Sequence, residues 1–188
     1  MSTGVLYYTD GRLYKEIAQL CLDNLYDVVP VSMKLVEIHQ APETPRSLRQ
    51  MYINILCGIG QVGTDYVYLA EHDVLYPPEY FTEIDKDIEF GVCKPGYYLD
   101  GRGYHKRNGT PLSSFVGHRE ALEKHFNNLL TQEKPKQSEP REYTVFNKSF
   151  PYIDIRHGDN YTGGREGKTY KQTIEYWGAA KQLEEKMK

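Results

Sequence analysis

The 188-residue sequence has only three cysteines, Cys21, Cys57 and Cys93, and no Cys-x-x-Cys pair among them. A scattered, odd set of thiols fits reduced cysteines in a cytoplasmic protein rather than a disulfide framework. A chain of this length buries roughly 70% of its unfolded surface, enough for one domain without covalent staples. Long apolar runs are missing as well. None approaches the ~20 residues of a membrane span, so no transmembrane helix is expected. No basic stretch followed by an apolar one opens the chain, so no signal peptide is expected. Nor is there an excess of positive charge: 23 Lys+Arg against 26 Asp+Glu leave a formal charge of −3. That balance argues against a protein whose main task is to coat nucleic acid, although it leaves room for a local basic groove. Tryptophan occurs once and phenylalanine six times, whereas tyrosine occurs 17 times. A flat apolar ring with a polar tip suits both the edge of a core and the rim of a cleft for polar, ring-shaped ligands.

The first 95 residues alternate strand-like and helix-like patterns. Gly4 to Tyr8 is a short apolar run stopped by the turn signal Thr9-Asp10-Gly11. Leu13, Ile17, Leu20, Cys21 and Leu25 then recur at helical spacing. Val28 to Met33 reads as a second strand, and Leu35 to Pro45, with two prolines, as a loop. From Arg46 to Ile59 a helix is predicted, with Pro45 ahead of its first turn and Gly58, Gly60 and Gly63 closing it. Tyr66 to Ala70 reads as a third strand running into Glu71-His72-Asp73. Further on come two short strands, Glu89 to Cys93 and Tyr97 to Leu99, and a polar stretch from Asp100 to Thr110. An apolar run, Leu112 to Val116, precedes a helix from about Gly117. Thr131 to Arg141 is the candidate for a mobile loop. A last strand, Tyr152 to Ile155, delivers Arg156-His157, and Thr169 to Lys188 reads as an amphipathic helix. This order predicts a single α/β domain: a mostly parallel, Rossmann-like central sheet with helices on both faces. Ligands of such sheets sit beyond the carboxyl ends of the strands.

Two polar clusters are expected at those ends. Glu71 and Asp73 stand two apart at the end of an extended segment, so both carboxylates can face one site. Hard divalent cations such as Mg²⁺ or Mn²⁺ take oxygen ligands and keep positions open for substrate phosphates. A solvated acidic turn is the plain alternative, but apolar residues on both sides (YVYLA and VLYPP) disfavour it. His157 is a second candidate ligand, because neutral imidazole binds Mn²⁺ well. Thr162-Gly163-Gly164-Arg165, with Lys168 beyond, offers backbone N–H groups and cations for a diphosphate.

The TDG after the first strand, EHDVLYPP after a central strand and DIRHGDNYTG near the C-terminus together resemble small bacterial and phage glycosyltransferases of the GT-A type, close to family 2. The resemblance spans roughly Val5 to Arg165. It implies a GT-A fold, with 1–95 as nucleotide-binding half, 96–168 as acceptor and metal half and 169–188 as C-terminal helix. It implies that Asp73 is the main ligand of Mn²⁺ or Mg²⁺, that His157 joins it, and that Glu71 sits nearer the sugar or ribose. The family's motif is Asp-x-Asp-like, and Glu71 departs from it at the first position. Thr9 and Asp10 are placed near the nucleotide of a UDP- or GDP-linked sugar, with Arg165 and Lys168 at the diphosphate. In an inverting transfer a carboxylate takes the acceptor's proton. The resemblance favours Glu139 for that role, with Asp154, Glu142 and Glu120 as alternatives.

The resemblance places the acceptor along Tyr97 to Thr110, where Tyr97, Arg102 and Tyr104 interleave rings with cations; a polar surface loop is the plain alternative. Such a stretch can stack on sugar rings of a glycan or on bases. Because the similar small transferases occur in phages, the resemblance also admits a modified DNA base as acceptor, although net charge lends DNA no support. Two other readings use the same residues: a metal-dependent nucleotidyltransferase, which would be expected to show a basic Gly-rich loop after the first strand, and a non-catalytic module that binds nucleotide-sugars.

Overall fold

The computed structural model describes residues 1–41, 44–134, 139–157 and 169–187. Strand β1 (Thr3–Thr9) is buried along its whole length. Its alternating side chains therefore serve two cores. Val5 and Tyr7 pack on one face with Leu25 of helix α1 (Lys15–Val28). Leu6 and Tyr8 pack on the other with Tyr52, Ile55 and Ile59 of helix α2 (Leu48–Val62) and with Leu122 and Phe126 of helix α3 (Arg119–Leu130). Helices thus cover both faces, as expected. Each Leu or Ile so buried contributes roughly 1.5–3 kcal/mol.

The sheet is mixed rather than mostly parallel. β1 lies between β2 (Lys34–His39) and β3 (Tyr66–Glu71), and all three run parallel. Beyond β3 the direction reverses at β7 (Phe115–His118), which pairs antiparallel with both β3 and β5 (Phe90–Asp100). β8 (Thr144–Ile155) then runs parallel to β5, and the short β4 (Val74–Leu75) closes the row antiparallel to β8. β6 (Gly103–Lys106) makes a hairpin with β5. Only His72 and Asp73 separate β3 from β4 in the chain, yet the two strands stand at the third and the last place of the order β2-β1-β3-β7-β5-β8-β4. The sheet must therefore curl, and those residues occupy the seam where the curl returns on itself.

Several local expectations are corrected. Val28 to Met33 forms the end of α1 and a turn, while the strand is the following KLVEIH. Pro30 supplies no N–H for a ladder. β2 is an edge strand, half-exposed with charged residues interspersed, so its apolar signal is weak. Gly58 and Gly60 lie inside α2, which Gly63 closes at φ 66°. A Cβ on Gly58 would come within 2.2 Å of Leu6 Cδ1, so glycine there permits close helix–sheet contact. The two short strands around Pro95 are one strand, β5, and the polar stretch after it contains β6. The C-terminal segment is not one helix: β9 (Thr173–Ile174) and β10 (Gly178–Ala179) form a hairpin, and helix α4 spans only Ala180–Glu185. Gly178, at φ 71°, takes the left-handed conformation that helix periodicity ignores. The expected mobile loop at 131–141 lies partly outside the described residues. Among the described residues, no helix is long and apolar enough to cross a membrane.

Candidate active site

The three parallel strands end together. Thr9 closes β1, Gln40 follows β2 and Glu71 closes β3, and these ends line a cleft of about 410 Å³. The seam brings in the far half of the chain. β4 pairs Val74 with Asp154, and Ile155 N–H donates to the Asp73 carbonyl at 2.8 Å. Backbone hydrogen bonds therefore fix where residues 155–157 leave β8 relative to Asp73. His157 Nε2 stands 3.5 Å from Asp73 Oδ2, and both side chains are almost fully buried.

A third side chain joins them. Ligand atoms of His72, Asp73 and His157 all lie within 4.8 Å of one another. Donor atoms around a first-row divalent ion with bonds of ~2.1 Å lie ~3 to 4.2 Å apart, so a small inward shift of these side chains would let the group hold an ion. His72 did not emerge as a ligand from the sequence, because in a continuing strand it would point away from its neighbours. A turn at residues 72–73 removes that constraint.

Glu71 stands beside this group rather than in it. It accepts a hydrogen bond from Tyr8 Oη at 2.5 Å and lines the cleft. Burial, with the neighbouring Asp73 carboxylate, pushes its pKa up to about 7, against the pull of Tyr8 and Arg107. Burial lowers the pKa of His72, opposed by the carboxylates of Asp73 and Asp10, and so favours a neutral imidazole with a lone pair to give.

Other expected residues are distributed as follows. Thr9 and Asp10 line the cleft, with Thr9 Oγ1 2.5 Å from His72 Nδ1 and Asp10 Oδ2 ion-paired to Arg46 Nε at 3.0 Å. Asp154 also lines it; one carboxylate oxygen pairs with Arg107, while Oδ1 is buried without a hydrogen-bond partner among the described residues. Glu139 is half-buried ahead of β8 and is not among the cleft's lining side chains. Tyr97 is half-buried, with Lys171 Nζ 5.8 Å from its ring centre. Arg102 lies 4.5 Å over the Tyr170 ring. Tyr104 is fully buried within a core cluster with Leu99 and Ile153, away from any surface ligand. Arg165 and Lys168 lie outside the described residues.

Besides Arg46, the cleft holds two cations that sequence reasoning did not place there. Arg107 and Arg156 both line it, and both pack on Tyr98, at 4.5 and 3.6 Å from its ring centre. Arg107 follows the β5–β6 hairpin and Arg156 follows β8, so a shared aromatic support aligns cations from two elements. The aromatic–cation interleaving of residues 97–107 was the visible signal; its pairing with β8 was not. At the opposite end, Gln40 and Asn54 line the wall with Met51. Asn54 Nδ2 donates to Gln40 Oε1 at 3.3 Å.

No family model matches the sequence, and no curated protein matches it. The fold has a solved counterpart. A glycosyltransferase involved in the glycosylation of the major capsid of PBCV-1 superposes with a TM-score of 0.51 at 10% identity, covering 82% of this chain and 92% of that one. The protein A197 from STIV gives 0.39 at 18% identity over 66% and 68% of the two chains. At such identity the first likeness concerns architecture: this chain shares the fold of a viral glycosyltransferase.

Proposed function

We propose that the chain is a GT-A-type glycosyltransferase that moves a sugar from a nucleotide-diphosphate donor, UDP- or GDP-linked, to an acceptor hydroxyl with inversion. The observation that carries this reading is that His157 stands 3.5 Å from Asp73, which lines a cleft at the strand ends together with other carboxylates and guanidinium groups. A divalent cation, Mn²⁺ or Mg²⁺, held by Asp73 and His157 would neutralise the diphosphate as it leaves. Arg107 and Arg156 supply positive charge to the same oxygens from fixed positions. Thr9 and Asp10 lie at the β1 end, towards the nucleotide. The apolar and carboxamide wall of Met51, Gln40 and Asn54 gives the nucleoside a place to lie.

The acceptor oxygen attacks the anomeric carbon from the face opposite the diphosphate. The bond from that carbon to the phosphate oxygen breaks, its electron pair leaves with the nucleoside diphosphate, and the acceptor proton passes to a carboxylate. Asp154 is the better placed of the two expected bases, because it lines the cleft and Glu139 does not. The β5–β6 hairpin, through Tyr97 and Arg102, forms the acceptor side, with a glycan as the acceptor.

The test is incubation of the full chain with UDP- and GDP-sugars, with and without Mn²⁺, following the released nucleotide. Release of free UDP or GDP that needs the ion supports sugar transfer. Release of pyrophosphate from nucleoside triphosphates would replace this reading with nucleotidyl transfer. Donor binding without any turnover across a panel of glycan acceptors would leave only a binding module.

A further inference from the structure

Resting on the metal-assisted reading of the cleft, we propose that His72 is a third ligand, through Nε2, and that Thr9 and Asp10 position its ring. The Nδ1 edge is already engaged. Thr9 Oγ1 lies 2.5 Å from it and Asp10 Oδ1 3.9 Å. Both partners are themselves fixed. Thr9 Oγ1 accepts the Gly11 N–H at 3.0 Å, and Asp10 accepts the Arg12 N–H at 3.1 Å and binds Arg46. Gly11, at φ 70°, turns the chain so that this acidic loop folds back over the imidazole.

A hydroxyl beside a ring nitrogen can donate or accept. With an acidic side chain next to it, and an ion at the other nitrogen, Thr9 accepts and Nδ1 keeps the proton. Nε2 then carries the lone pair. Such outer partners set the tautomer and orientation of a metal-bound histidine, and their loss typically lowers metal affinity 10–100-fold. Thr9 and Asp10 therefore act on the ion through His72 as well as lining the cleft. They are positioning residues.

The donor set has a consequence. Two imidazoles and one carboxylate suit first-row transition ions, whereas Mg²⁺ and Ca²⁺ favour sites made of oxygen alone. A site of Asp73 and His157 only, completed by water and phosphate, would discriminate less.

The experiment is calorimetric titration of the full chain with Mn²⁺ and with Mg²⁺, together with pulsed EPR of the Mn²⁺ complex, which counts coordinated imidazole nitrogens. Wild type should show two such nitrogens and bind Mn²⁺ at least tenfold more tightly than Mg²⁺. His72→Ala and the bulkier His72→Gln should each show one nitrogen and lose tenfold or more in Mn²⁺ affinity. Thr9→Val and Asp10→Asn should weaken Mn²⁺ binding about 10- to 100-fold, while Thr9→Ser stays close to wild type. A single nitrogen in the wild type, or wild-type affinity in both His72 variants, would overturn the inference and leave the Asp73–His157 reading intact. Failure of the wild type to bind any divalent ion would remove both.

Discussion

Replacing Glu71 by Gln should make the metal-free protein more stable, and only at neutral to alkaline pH. Glu71 is held against Tyr8 next to Asp73, and its pKa stands at about 7 instead of its ordinary 4.5. At 1.36 kcal/mol per pH unit, ionising it in the folded state costs about 3 kcal/mol more than in the unfolded chain. The sign follows from proton binding. The folded protein holds this proton to higher pH than the unfolded one, so stability falls as pH rises from 4.5 to about 7 and then levels off. Gln keeps a carbonyl oxygen for the Tyr8 hydroxyl but carries no charge. It must still be desolvated, so the net gain at pH 8 should be about 1–2 kcal/mol, a rise in Tm of roughly 3–6 °C for a domain this large. Urea unfolding of wild type and variant in EDTA, at pH 5 and pH 8, measures it. At pH 5, where ionisation costs the wild type less than about 1 kcal/mol, the difference should reverse, the variant being about 1 kcal/mol the less stable. A gain of equal size at both pH values, or none at pH 8, would refute the argument that a buried carboxylate, with Asp73 beside it, is ionised at a cost at this strand end. Because Glu71 lines the cleft, the stabilised variant should also turn over donor more slowly.

Asp73→Ala should abolish donor turnover while shifting the unfolding midpoint little, and His157→Ala should raise the Mn²⁺ concentration needed for turnover about 10- to 100-fold; steady-state assays across an Mn²⁺ titration check both. Chelation with EDTA should stop turnover in the wild type, and added Mn²⁺ should restore it. Asp154→Ala strands the guanidinium of Arg107 in a buried setting and should cost about 3 kcal/mol in denaturant unfolding, most of it recovered in the double variant Arg107→Met, Asp154→Leu. Gly58→Ala should destabilise by about 1–2 kcal/mol, since the new Cβ meets Leu6 and Ile38 and that crowding outweighs a gain of about 1 kcal/mol in helix propensity.

Much of the first half of the fold was legible because its signals are local. β1 and β3 are dense apolar runs, buried on both faces, each ending at a turn or a polar cluster, and α2 shows helical periodicity, although it starts at Leu48 behind a Ser47 cap rather than at Arg46. β2 was displaced by one segment because an edge strand is only half-buried and its pattern is diluted by Lys34, Glu37 and His39. The mixed character of the sheet was invisible. Strand direction beyond β3 depends on long-range pairings, of β7 with β3 and of β8 with β5, that no local pattern encodes. At the site, Asp73 and His157 stood out by residue type and position. His72 did not, because its contribution depends on a turn that breaks strand alternation. Arg107 and Arg156 were each visible as cations, but their shared ring and cleft arise from the meeting of β6 and β8.

The curl that carries β4 round to the end of β3 leaves the sheet closed by a short clasp, with Val74 and Leu75 laddered to β8. Two ligands proposed for the ion sit on the hinge of that clasp and the third on the strand that it fastens. Cation binding would therefore be inseparable from keeping the clasp shut, and the affinity measured for the ion would include the work of holding the two ends of the sheet together. Amide protons along Val74, Leu75 and Ile155 should then exchange more slowly as Mn²⁺ is added, even though none of those backbone groups touches the metal.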